Sequence, residues 1–348
     1  MNHTRPPSSQ KRKRVIGLVL GVVVLVLIFA VAIPRFADYG EVARQIRSVS
    51  LKWLVVIGLA ELVNLATYAP NWMVALPTLG YWQSLELTMA GTAVSNVAPL
   101  GGPVSMTMQY AMMREWGFER RSASRAMVLT GVWNQFVNLA MPIIGLVILT
   151  ARGGKNAALM VAAEVGLVFL VIAASLFVIV LRSERGAVRV GRWFDGVRSF
   201  LRRRLGRPAK SGAADALCRF RLDSIELLRT RWLALTIATV FGVLTVFVTF
   251  VCCVRAVGIA GPRITFTEAF AAWSATRLLS AIPLTPGGLG IVDVGLTGAL
   301  IAFGAGQTSA VGAVLLYRVI TWLPPILFGG LAAFTWRRHR SRPAGSAA

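Results

Sequence analysis

The stretch TRLLSAIPLTPGGLGIVDVGL, residues 276–296, decides how this chain must fold. Apolar sequence flanks it on both sides, yet it holds Pro283, Pro286, Gly287, Gly288 and Gly290 together with Arg277 and Asp293. A chain with such flanks is bound for a bilayer, where an unpaired N–H or C=O facing lipid costs several kcal/mol. Broken backbone at that depth is therefore tolerated only if protein buries it or a wet cavity adjoins it. The Pro-Gly-Gly-Leu-Gly run is read as a turn in a shielded pocket. There the glycines permit backbone geometry closed to other residues and let another group approach closely. A short helix opening near Ile291 would aim its free N–H groups at that turn, an arrangement that favours an anion such as a phosphate.

Composition supports the membrane assignment. Of 348 residues 56% are hydrophobic and 15% charged, a balance outside the range of soluble domains. The formal charge of +23 lies between apolar runs, which fits loops anchored on anionic lipid and argues against nucleic acid as a partner. Cys218, Cys252 and Cys253 have neither disulfide nor metal-site spacing, and the two histidines, His3 and His339, sit in polar tails. Gly153-Gly154-Lys155-Asn156 lacks the hydroxyl residue and glycine spacing of a phosphate loop. No cofactor, metal ion or catalytic residue is expected, although a carboxylate mechanism using Asp293 or Glu61 stays open.

Hydropathy predicts an all-α polytopic protein of about six full spans: 15–33, 53–76, 127–150, 157–181, 232–257 and 311–334. The first, after Lys11-Arg12-Lys13-Arg14, is read as a retained anchor; its Ala30-Val31-Ala32 also suits a cleaved signal peptide. Segments 82–116 and 264–303 are interrupted, at Pro99–Pro103 and at Pro283–Gly290. Between Arg182 and Arg231 stand fourteen basic residues against five acids, so this connector belongs in the cytoplasm. That holds only if both broken segments dip in and return as re-entrant hairpins. The expected organisation is a basic cytoplasmic N-tail (1–14), a membrane domain (15–336) with units 51–150 and 232–336 joined by the connector 182–231, and a basic cytoplasmic C-tail (337–348). The basic 34–52 link, placed outside, runs against the charge rule. Within the connector, Val190, Trp193, Phe194, Val197, Phe200 and Leu201 share a helical face, as in a helix lying on headgroups or in a simple solvated link.

The two units resemble each other. Glu86 aligns with Glu268, Gly101-Gly102 with Gly287-Gly288, Gln135 with Arg318 and Pro142 with Pro325. Under the hairpin topology the units are inverted, the plan of alternating-access transporters. Candidate ligand contacts in the second unit are Arg277, Pro286, Gly287, Gly288, Gly290, Asp293, Tyr317 and Arg318. In the first they are Glu61 and Asn64, which share a helix side with Tyr68 and Asn71, then Asn96, Gly101, Gly102, Asn134 and Gln135. Each has a plainer reading: an Arg318–Asp293 pair that only pins helices, or amides that bond helix to helix.

The motif PLTPGGLGIVDVGLTGALIAFG followed by AVLLYRVITWLPPILFGGL resembles the lysylphosphatidylglycerol synthase transmembrane region, a flippase-like family. The resemblance runs from Val15 to Trp336 and rests on Pro286–Gly290, Asp293 where the family more often has Glu, and Tyr317-Arg318. It implies a bacterial inner-membrane protein that moves an anionic or aminoacylated phospholipid between leaflets, without the soluble aminoacyl-transfer domain. The alternative is an accessory protein presenting a lipid-linked precursor to a lipid-modifying enzyme or glycosyltransferase.

Overall fold

The computed structural model describes residues 39–98, 101–153, 157–204, 212–259, 264–280, 288 and 290–335. The expected anchor at 15–33, both tails, and the candidate residues Pro286 and Gly287 lie outside the described residues. The described chain is helical: α1 Tyr39–Arg47, α2 Leu51–Ala66, α3 Tyr68–Ala75, α4 Tyr81–Val97, α5 Gly101–Glu115, α6 Arg120–Ala151, α7 Ala157–Arg182, α8 Glu184–Arg204, α9 Ala213–Ala256, α10 Phe266–Ser280, α11 Ile291–Ala302 and α12 Gln307–Thr335. Among the described residues, five stretches are long and apolar enough to cross a bilayer: Leu51–Ala75, Arg120–Ala151, Met160–Arg182, Ala213–Ala256 and Gln307–Ala332. The protein is an all-α, multi-pass membrane protein.

Residues 82–116 form α4 and α5 on either side of the Pro-Gly break. Gly101 lies against the backbone of Ser95, and Gln109 Nε2 donates to the Leu87 carbonyl at 3.2 Å. Rising numbers in α5 thus meet falling numbers in α4, so the two helices pack antiparallel. At 1.5 Å per residue, 17 and 15 residues reach about 25 and 22 Å, short of the roughly 30 Å hydrocarbon core.

The order long span, short helix, break, short helix, long span recurs in α2–α6 and in α9–α12. Packing across the halves is reciprocal: α12 lies on α4, α6 on α10, and α2 on α9. Gly329, four residues after Pro325, meets Met89 and Ala93, the third and seventh residues after Glu86. Gly145, three residues after Pro142, meets Ala271 and Ser274, the third and sixth after Glu268. Small residues at both crossings let the backbones close in. Glu61 meets Thr249, Asn64 meets Thr245 and Asn71 meets Thr239, so the opening helices of the halves run antiparallel.

The sequence expectation of a span beginning at Trp232 understates α9. Its 44 residues reach about 66 Å, because Ala213–Leu235 contains neither glycine nor proline to end the helix. The excess carries α9 into the basic connector. There α8 packs back along it, with Gly191 against Ala213 and Ala214. The Asp195 carboxylate accepts from the Gly212 and Ala213 N–H groups, both at 3.1 Å, which caps α9. Val190 is buried in this seam, whereas Trp193, Phe194, Val197 and Phe200 are exposed. The shared apolar face therefore divides between helix packing and surface. At the other end of α9, Gln45 of α1 donates to the Val257 carbonyl (3.0 Å) and to Ser309 Oγ (2.8 Å). Arg44 and Arg47 thus sit at the end of α9 opposite the basic connector, and the tension with the charge rule persists.

Candidate functional site

The site grows from the start of α11. Gly288 and Gly290 have φ of 71° and 82°, in the left-handed region where a Cβ costs about 1–2 kcal/mol. From there Asp293, in the first turn, reaches back so that Oδ2 accepts from the Gly290 N–H at 2.9 Å. The anion that this helix start was expected to attract is thus first of all the protein's own carboxylate. Its other oxygen, Oδ1, accepts from Arg318 Nε at 2.8 Å and Nη2 at 2.5 Å. Asp293 is 3% exposed. One carboxylate therefore fastens the turn, the short helix and the last span together. Gly290→Ala is expected to lower the thermal unfolding midpoint in detergent while Gly298→Ala, in open space, leaves it unchanged.

Two aromatic rings hold the guanidinium groups. Arg318 lies 5.2 Å from the Trp322 ring centre and Arg277 4.0 Å from that of Trp273, each pair four residues apart on one helix. Trp273 Nε1 donates to Tyr317 Oη at 3.4 Å, and the Tyr317 ring packs on Phe250. Arg277 lies in electrostatic reach of Tyr317, Tyr68 and Arg318. The centre thus gathers two guanidinium groups, one carboxylate and two phenols, with a formal charge of one positive unit. Such a set can receive an anion beside the existing pair.

Other candidates are placed elsewhere. Glu61 and Asn64 are buried between α2 and α9, where Asn64 Nδ2 donates to Thr245 Oγ1 at 3.0 Å and Thr239 donates to Asn71 Oδ1 at 3.1 Å. These bonds join helix to helix, with Tyr68 the link toward Arg277. Gly101 is buried, Gly102 exposed and Asn96 half-buried near the α4–α5 break, while Asn134 and Gln135 both lie exposed on α6. Sequence reasoning missed Trp273 and Trp322, although their spacing from Arg277 and Arg318 was visible.

The family described as lysylphosphatidylglycerol synthase TM region matches residues 15–329. A UPF0104 membrane protein, MJ1078, of Methanocaldococcus jannaschii is 37% identical over 65 residues, which are 19% of this chain and 28% of that relative. The chain thus aligns with little more than a quarter of the relative's length.

Proposed function

The chain belongs to the lysylphosphatidylglycerol synthase transmembrane-region family, and from that premise we propose that it moves an anionic or aminoacylated phospholipid between membrane leaflets. The observation that carries this reading is the buried Arg318–Asp293 pair beside Arg277, at a glycine turn in a membrane-spanning domain. Carrying a phosphate through hydrocarbon is the costly step, and fixed guanidinium and N–H groups in place of water lower that cost. The headgroup sits near Arg277, Gly288, Gly290 and Arg318 while its acyl chains stay in the bilayer. The two units act as an inverted repeat. Reciprocal packing of α4 with α12 and α10 with α6, and the antiparallel α2–α9 seam, support that relation. The chain lies in a bacterial inner membrane with both termini and the α8 connector in the cytoplasm.

A second reading, an accessory protein that presents a lipid-linked precursor to an envelope enzyme, is favoured by the exposed aromatic and arginine residues of α8. Mass spectrometry of lipid co-purifying with wild type and Arg318→Ala tests the site. Loss of a charge-assisted contact predicts a roughly tenfold or greater fall in bound anionic lipid. Equal retention by both proteins would reduce Arg318 to a structural tie.

A further inference from the structure

Glu61 is an acid that the Arg318 centre leaves unused. It lies inside the span Leu51–Ala75 and is 3% exposed. Oε2 receives a long bond, 3.4 Å, from Thr249 Oγ1, and Oε1 is buried without a hydrogen-bond partner. The side chain lines a groove of about 250 Å³ between α2 and α12 whose other walls are Gly58, Leu62, Leu65, Ile320, Pro324 and Phe328. Leu62 and Phe328 are exposed, so the groove opens on the outer surface of the helix packing.

Such walls offer a carboxylate ion no countercharge, Thr249 gives it one long hydrogen bond, and burying a charge so poorly matched costs several kcal/mol. Tyr68 on α3 and Cys253 on α9 are titratable groups in electrostatic reach of Glu61. On α12 the titratable groups are Tyr317 and Arg318, and Arg318 is bound to Asp293. Arg277 of α10 stacks on Trp273. Among the described residues Glu61 makes no salt bridge. A proton relieves the mismatch where no cation does.

We propose that Glu61 is a proton-exchange site served from the α2–α12 groove. While the groove is dry the carboxyl keeps its proton; when water enters, the O–H bond breaks, the proton leaves on water as hydronium and the carboxylate remains. Coupling of this exchange to lipid movement rests on the transport reading, because α2 and α12 belong to opposite halves; the exchange itself does not.

Infrared difference spectra between acid and alkaline buffer, taken on the purified protein in bilayers, test it directly. A carbonyl-stretch band of a protonated carboxyl, shifted by D2O, is expected in wild type and in Glu164→Gln, whose acid is exposed on α7. Glu61→Gln should lose that band while eluting as the wild type does, and Glu61→Asp should retain it at a shifted position. An unchanged band in Glu61→Gln overturns the proposal, as does a wild type without one. In vesicles under an imposed proton gradient, lipid movement by wild type should respond and that by Glu61→Gln should not. Vesicles in which wild type moves no lipid would count against transport, and the infrared band would still decide the proton site.

Discussion

Asp293→Ala is expected to cause the largest loss of stability of any single change in this protein, about 3–5 kcal/mol, the usual cost of stranding one member of a buried ion pair. The change removes three hydrogen bonds at once: two from Arg318 and one from the Gly290 N–H. It leaves the guanidinium with the Trp322 ring at 5.2 Å, and cation–π attraction of about 1–2 kcal/mol does not offset the loss. The double change Asp293→Ala with Arg318→Met is expected to recover much of that stability, because it no longer buries a lone charge. Thermal unfolding of the two proteins in the same detergent measures the difference. Lipid binding should not recover in the double variant, and that divergence separates the tie from the ligand contact. Recovery of both would make the pair purely structural.

The second largest effect is expected at the crossing of α12 and α4. A Cβ at Gly329 would lie 2.7 Å from Ala93 Cβ and closer still to the Met89 carbonyl, and backbone cannot yield there as a flexible side chain could. Gly329→Leu is expected to destabilise by about 1–3 kcal/mol through overpacking. Gly330→Leu, where a Cβ meets open space, is expected to leave the unfolding midpoint within error. On the proposed repeat, Gly145→Leu, where a Cβ would meet Ser274 and Ala271, should behave like Gly329→Leu. Unequal effects, with Gly145→Leu silent, would argue against the pairing of Pro142 with Pro325.

Much of this fold is legible in the residues. Unbroken apolar runs mark the spans, and the clusters Pro99–Pro103 and Pro283–Gly290 mark where paired short helices must part. The Arg318–Asp293 pairing could also be anticipated, since a charge in a spanning segment needs a partner. The full length of α9 was hidden because charged residues of high helix propensity look like a solvated connector when only hydropathy is followed. Asn134 and Gln135 show what a local pattern leaves open. Amides on one helical face signal a polar contact without saying whether a neighbouring helix lies on that face, and here neither residue is buried. The reciprocal exchange of partners between halves depends on long-range packing, which a single sequence does not encode as a local pattern.

On the transport reading, a headgroup visits the Arg318 centre on its way across the bilayer. Transbilayer movement of fluorescent phosphatidylglycerol in vesicles holding the purified protein tests this most directly, with quencher added outside. Wild type is expected to expose inner-leaflet lipid to the quencher faster than protein-free vesicles do, and Arg318→Ala is expected to reduce the rate about tenfold or more toward that background. Equal rates for wild type, Arg318→Ala and empty vesicles would contradict it.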